Sequence, residues 1–108
     1  MTAVNMNAEL FNKTTLEDSN PVLVEFWAPW CSYCRRITPA MGKVAEQYKD
    51  TLVVGQVNID EEPQLAVQEQ IEVIPTLVLY RKGKALGSIV APESKAAIER
   101  FIQETLHQ

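Results

Sequence analysis

The chain has 108 residues, of which 46% are hydrophobic and 22% charged, and its formal net charge is −4 at pH 7. This length predicts a single domain over residues 1–108 with one hydrophobic core. The acidic balance argues against a nucleic-acid partner, because phosphate binding needs a basic surface.

The sequence also lacks signals for membranes and secretion. No apolar run approaches the roughly 20 residues of a membrane span. The first residues lack the basic and then apolar pattern of a signal peptide. We therefore expect a cytoplasmic protein that does not contact a membrane, although a mature chain that had lost its signal would look the same.

The first third of the chain predicts a helix between two strands. A very short strand fits residues 1–6, and residues 7–19 predict a helix that ends at Asn20-Pro21. Residues 22–27 are mostly apolar rather than alternating, which predicts a central strand covered on both faces. Glu25 interrupts this strand. The predicted apolar positions of the first helix are Leu10, Phe11 and Leu16.

The middle of the chain predicts a second helix and a second buried strand. Apolar residues recur at spacings of three and four up to Tyr48, which is typical of a helix with one apolar face. Pro39 lies inside this pattern and predicts a kink. Residues 52–60 form the next strand, and the helical connection is long enough for parallel pairing. A short third helix is expected from Glu62-Pro63 to about residue 70.

The last third predicts a hairpin and a final helix. A strand at 76–80, a turn at 81–84 and a returning strand at 85–90 form the hairpin. Ser94 is the expected N-cap of the last helix. The order βαβ followed by ββα predicts an α/β fold with a mixed sheet and helices on both faces. The apolar face of the last helix comprises Ile98, Phe101, Ile102 and Leu106.

The chain has two cysteines, Cys31 and Cys34, and both lie where the first buried strand leads into the long helix. A helix N-terminus favours a thiolate, and the thiolate is the form that attacks disulfides. The spacing therefore predicts a redox pair in which Cys31 is the nucleophile and Cys34 the resolving thiol, rather than a buried structural cysteine. A zinc site needs about four ligands, and only His107 remains as a soft donor. We expect no metal unless two chains share their cysteine pairs.

Five separated motifs resemble the thioredoxin family over roughly residues 7–106. The resemblance implies the thioredoxin fold, a central mixed sheet of four to five strands flanked by about four helices on both faces. It also implies a cis Pro75, in a loop that offers the backbone of Ile74 to an extended substrate by strand-like pairing. The motifs are residues 24–31, Pro39, residues 57–60, Ile74-Pro75-Thr76 and residues 80–84.

The chain departs from the usual thioredoxin pattern in several positions. Ser32-Tyr33 replaces Gly-Pro between the cysteines, Glu25 replaces Asp, and Gln56 replaces the Lys that pairs with that acid. Val73 and Ala91 stand where the family often has Gly. The segment from Glu25 to Cys31 also resembles protein disulfide isomerase domains. These departures leave the direction of electron flow open.

Glu25 is the candidate base that would deprotonate Cys34. Desolvation inside an apolar strand should raise its pKa toward neutrality, more strongly than in a member with Lys at position 56. The alternative is a carboxylate at the sheet surface or bonded to a neighbour. A base is useful because Cys34 must lose its proton before it resolves the mixed disulfide.

The remaining candidates would contact the substrate. Ser32 could donate its hydroxyl to the Cys31 thiolate, and loss of proline at Tyr33 should loosen the first helical turn; both changes would make the pair more oxidising. The alternative is a solvated serine and an exposed tyrosine ring. An apolar docking rim of Trp30, Ile74 and Ala91 is expected around the cysteines, whereas Trp27 is expected in the core.

The resemblance implies a protein-disulfide reductase that acts as a monomer on disulfide-containing proteins. It binds no cofactor itself and receives electrons from NADPH through a thioredoxin reductase. One alternative is an oxidase or isomerase with a more oxidising potential. The other is a binding or chaperone module in which the redox pair is incidental.

Overall fold

The computed structural model of the chain describes residues 3–107, in which a five-stranded sheet lies between two pairs of helices. Residues 1 and 2 of the strand predicted over 1–6 lie outside the described residues. The strands are β1 (Val4–Asn5), β2 (Val22–Trp27), β3 (Val53–Asn58), β4 (Thr76–Arg81) and β5 (Lys84–Val90). The helices are α1 (Ala8–Glu17), α2 (Ser32–Gln47), α3 (Pro63–Gln68) and α4 (Lys95–Leu106).

The sheet has the strand order β1-β3-β2-β4-β5 and is mixed. β3 pairs in parallel with β1 and β2, whereas β4 pairs antiparallel with β2 and β5. The predicted fold class, a mixed sheet of four to five strands with about four helices, is confirmed. The parallel β2–β3 pair places the carboxyl ends of both strands at one edge of the sheet, and the cysteines follow β2 at that edge.

β2 is the central strand, and its two faces contact two separate core clusters. Leu23 packs with residues of α2 and α4, whereas Val24 and Phe26 pack with residues of α1 and α3. Successive side chains of a strand point to opposite faces. Glu25 therefore points to the same face as Leu23, which is the face that α2 covers.

The structure corrects the predicted apolar face of α1. Leu16 is 59% exposed and Leu10 is also exposed, whereas Phe11 and Thr15 are buried. Burial of Thr15 leaves no unpaired hydroxyl, because its Oγ1 donates to the carbonyl of Phe11 at 2.9 Å. A position one turn after Phe11 thus faces the sheet although its residue is polar.

The ends of the other elements follow local signals. α3 ends at Gln68, two residues earlier than predicted, and Pro39 lies inside α2 as predicted. The β4–β5 hairpin turns through Lys82 and Gly83, which both have positive φ (52° and 81°). Two central residues with positive φ match the twist of paired strands, and glycine adopts this conformation without strain.

Candidate active site

Cys31 and Cys34 form a disulfide at the start of α2, with their Cα atoms 5.3 Å apart. Cys31 is the N-cap of the helix, and its sulfur accepts a hydrogen bond from the Cys34 backbone N–H at 3.2 Å. Cys31 is 9% exposed, whereas Cys34 is completely buried. Cys31 is therefore the more accessible of the two residues, and its sulfur already accepts a backbone donor that would stabilise a thiolate.

Glu25 is buried in the middle of β2, and its carboxylate has one hydrogen-bond partner among residues 3–107. Gln56, its neighbour in the parallel register, donates from Nε2 to Oε1 at 3.0 Å. The other oxygen, Oε2, has no partner among residues 3–107. Burial raises the pKa of the Glu25 carboxyl from 4.5 to about 7, although the Gln56 hydrogen bond acts in the opposite direction. This agrees with the raised pKa predicted from the sequence.

Trp27 occupies a different environment from the one expected. It is half-buried rather than in the core, because it is the last residue of β2 and borders a cavity of about 480 Å³. Gln56 borders the same cavity. The Trp27 indole N–H is buried and has no partner within residues 3–107. The Glu25 carboxylate is thus hydrogen-bonded to a side chain that borders this cavity.

Trp30 is the most exposed of the predicted rim residues, at 67%. Its Nε1 donates to Oδ1 of Asp60 at 3.2 Å, which holds the ring at the carboxyl edge of the sheet. No role for Asp60 is predicted from the sequence beyond its place in the motif of residues 57–60. Asp60 lies two residues after the end of β3, and because β2 and β3 are parallel, residues that follow the two strands lie near each other.

The Pro75 and Ala91 loops contact each other directly. The Ile74–Pro75 peptide bond is cis, Pro75 is buried and Ile74 is half-buried. Ala91 has a φ of 46°, and its N–H donates to the Pro75 carbonyl at 2.9 Å. The residue that stands where the family often has glycine thus adopts the left-handed conformation that glycine favours.

Ser32 and Tyr33 differ in their exposure and in their hydrogen bonds. Ser32 is exposed, and its hydroxyl has no hydrogen-bond partner in the described part of the chain. Tyr33 is half-buried, so the alternative of an exposed ring is wrong. Its hydroxyl lies 2.9 Å from the Pro92 carbonyl oxygen and 3.4 Å from that of Ala91. The structure contains the disulfide, so the predicted Ser32 hydrogen bond to a thiolate stays a prediction.

Comparison with known proteins decides the family. The thioredoxin family model matches residues 2–104. The chain belongs to the thioredoxin family. It is 40% identical over 96 residues to thioredoxin 1 of Synechococcus elongatus, which covers 89% of this chain and 90% of the relative. It is 42% identical over 96 residues to a thioredoxin of Acidithiobacillus ferridurans, with 89% of both chains covered.

A plastid thioredoxin is also among the relatives. The chain is 39% identical over 102 residues to the chloroplastic M-type thioredoxin of Chlamydomonas reinhardtii, which covers 94% of this chain and 73% of the relative. With thioredoxin relatives and a cysteine pair that forms a disulfide, the chain is a thiol–disulfide oxidoreductase, and its enzymatic class is protein-disulfide reductase. The resemblance found in the sequence is confirmed.

Within residues 3–107, no group of three or more His, Cys, Asp or Glu side chains is arranged to hold a metal ion. None of the helices in the same range combines the length and the apolar character needed to cross a membrane.

Proposed function

We propose that Cys31 is the nucleophile and Cys34 the resolving thiol of this reductase. In the dithiol form, the Cys31 thiolate attacks one sulfur of a substrate disulfide, and the other substrate sulfur leaves as a thiolate that takes up a proton. Cys34 then loses its proton and attacks the Cys31 sulfur, which releases the second substrate thiol. The chain is left with the Cys31–Cys34 disulfide. The difference in burial between the two cysteine residues is the observation that carries this proposal.

Glu25 is the proposed base for the second step. A carboxyl with a pKa of about 7 exchanges its proton readily near neutral pH. It points to the sheet face that α2 covers, and α2 begins at the cysteines. Gln56 can donate its amide N–H to the ionised carboxylate or accept from the protonated one through its amide oxygen. It therefore accommodates both protonation states.

The substrate is proposed to dock on Trp30, Ser32, Ile74, Pro75 and Ala91. Trp30 and Ser32 are exposed beside Cys31, and the Pro75 and Ala91 loops are joined by a backbone hydrogen bond. An extended substrate segment would pair with the Ile74 backbone. Tyr33 was predicted to belong to this set, but its hydroxyl donates to the Pro92 carbonyl within the chain.

The electron supply is proposed to come from NADPH through a thioredoxin reductase, with no cofactor bound to this chain. We propose that the protein acts as a monomeric single domain of residues 1–108, carries electrons to disulfide-containing proteins and maintains cell redox balance in the cytoplasm. Its relatives include a chloroplastic thioredoxin as well as cyanobacterial ones, so the plastid is the alternative location.

Thiol trapping tests the two cysteine roles. Cys34→Ser should accumulate a mixed disulfide with a model substrate such as insulin, whereas Cys31→Ser should form none. Both variants should lose more than about 99% of reductase activity, since each removes one exchange step. Mixed disulfides that form through Cys34 in the Cys31→Ser variant would contradict the assignment.

The reduction potential tests the direction of electron flow. The reduction potential is about −270 mV for thioredoxin and about −180 mV for protein disulfide isomerase. A glutathione titration at pH 7 should place this chain near the first value. A value near the second would favour the alternative of an oxidase or isomerase, which is based on Glu25 and on the absence of proline between the cysteines.

A further inference from the structure

Tyr33 connects the cysteine turn to a loop almost sixty residues away in sequence. Its hydroxyl donates to the Pro92 carbonyl at 2.9 Å, with the Ala91 carbonyl at 3.4 Å as a second acceptor. The ring packs against the core cluster between the sheet, α2 and α4. The guanidinium carbon of Arg36 lies 5.8 Å from the ring centroid. The Tyr33 side chain is thus held by the hydrogen bond of its hydroxyl, by packing of its ring against the core, and by the Arg36 guanidinium over the ring.

The loop that Tyr33 contacts is itself anchored. The Ala91 N–H donates to the Pro75 carbonyl at 2.9 Å, so the phenol links α2 to a loop that is already bonded to the Pro75 loop. Three segments around the disulfide are therefore joined in series, from the first turn of α2 through Ala91–Pro92 to Pro75. The exposed Ser32 makes no such connection within residues 3–107.

This restraint matters most in the dithiol form. In the disulfide form the covalent bond already holds Cys31 and Cys34 together. Once that bond is broken, the first turn is held by helical hydrogen bonds, which fray at helix ends, and by tertiary contacts such as that of Tyr33. A proline in this turn would restrict φ locally. Tyr33 does not restrict φ in this way. The hydrogen bond of its hydroxyl restrains the turn instead.

We propose that Tyr33 is a positioning residue for the exchange reaction, whose hydroxyl holds the first turn of α2 against the Ala91–Pro92 loop and keeps the two thiols close together. This inference takes the redox role of Cys31 and Cys34 as given. It reverses one expectation from the sequence, because replacing proline by Tyr33 does not simply loosen the turn. The tether raises the effective concentration of one thiol at the other and so favours the disulfide form.

The test is a glutathione titration of the wild type and Tyr33→Phe. The phenylalanine keeps the ring, its packing and the Arg36 contact, and removes only the hydroxyl. One neutral hydrogen bond corresponds to a factor of about three to ten in an equilibrium constant. The effective thiol concentration should fall by that factor, which raises the reduction potential by about 15–30 mV.

Tyr48→Phe is the matched control. Tyr48 is a half-buried phenol at the opposite end of α2, where its hydroxyl bonds to Glu99 at 3.3 Å. Its removal should leave the potential unchanged. Thermal unfolding of both redox forms separates positioning from general stability, because a merely structural Tyr33 would destabilise both forms equally. Equal potentials for the wild type and Tyr33→Phe would overturn the proposal.

Tyr33→Leu provides an independent check, including the case in which Tyr33→Phe does not fold. Leucine keeps an apolar side chain but has no hydroxyl, so the bond to the Pro92 carbonyl is lost. Its effective thiol concentration should fall by at least a factor of about three to ten, and a value equal to that of the wild type would contradict the tether. If the wild type forms no disulfide in any glutathione buffer, the proposed function fails instead, so the two failures are distinguishable.

Discussion

At the scale of single residues, burial changes the acid–base chemistry of Glu25 next to the cysteine helix. It is fully buried, one of its carboxylate oxygens lacks a partner among residues 3–107, and its pKa is raised to about 7. Desolvation is the main cause, because the neutral Gln56 amide compensates less than a cation would. The carboxyl is therefore partly protonated at neutral pH, which suits a group that both takes and returns a proton.

Glu25→Gln should slow the release of the mixed disulfide by about 10- to 100-fold and its formation by less than about threefold. The variant keeps the hydrogen-bonding shape but cannot accept a proton from Cys34. In the wild type, the rate of release should increase with an inflection near pH 7, because Glu25 ionises there and only the carboxylate can accept a proton. Stopped-flow fluorescence of Trp27 and Trp30 from pH 5.5 to 9 would follow both steps, with a peptide disulfide as substrate.

Glu99→Gln is the control for removing a carboxylate on the α2 and α4 side of the sheet. Lys95 beside it lowers the pKa of the Glu99 carboxyl, so Glu99 is ionised throughout this pH range. Its loss should change neither step. Equal slowing of formation and release in Glu25→Gln would show that Glu25 supports the site structurally rather than as a base.

At the scale of elements, α4 depends on a cap that was predicted from the sequence. The Ser94 hydroxyl oxygen accepts from the Ala97 N–H at 3.1 Å, which satisfies one of the unpaired donors of the first turn. The helix then buries Ile98 and Ile102 against α2 and the sheet. Its position supports the helix that carries the cysteines, although α4 contributes no proposed catalytic group.

Ser94→Ala should lower the free energy of unfolding by about 1 kcal/mol, because the cap hydrogen bond is lost. Ser94→Asp retains an acceptor and should stay close to the wild type. Ser88→Ala, at an exposed serine of β5, should likewise have little effect. Urea unfolding measures all three, and the cap would be irrelevant if Ser94→Ala and Ser94→Asp unfolded at the same urea concentration.

At the scale of the whole molecule, the buried carboxyl makes stability depend on pH. The folded state holds the Glu25 proton up to a pKa of about 7, whereas the ordinary pKa of an unburied glutamate is 4.5. Between these two values the folded state binds more protons, so its stability falls as pH rises. The loss should total roughly 3 kcal/mol from about pH 4.5 to pH 7.5 and then level off.

The disulfide form is the one to measure, because its cysteines do not titrate. Urea unfolding from pH 5 to 9 should show the decline in the wild type and a flatter curve in Glu25→Gln. The difference in unfolding free energy, Glu25→Gln minus wild type, should therefore be more positive at pH 8 than at pH 5. Parallel curves would mean that Glu25 keeps an ordinary pKa in the folded protein.

Much of the architecture could be predicted from the sequence, because it depends on local patterns. The mostly apolar run of β2 predicted its burial on both faces, and Ser94 predicted the start of α4. The position of Cys31 and Cys34 before a helical pattern predicted a thiol pair at a helix N-terminus. Each of these signals lies within a few residues of the feature it determines, so short-range sterics and hydrogen bonding suffice.

Only the tertiary structure decided which side chains meet across the chain. The face of α1 that is buried depends on how that helix lies on the sheet, so Thr15 is inside and Leu16 outside. The contact between Tyr33 and Pro92 joins positions 59 residues apart, and that between Trp30 and Asp60 joins positions 30 apart. Such contacts follow from strand register and loop paths, which propensity and periodicity do not specify.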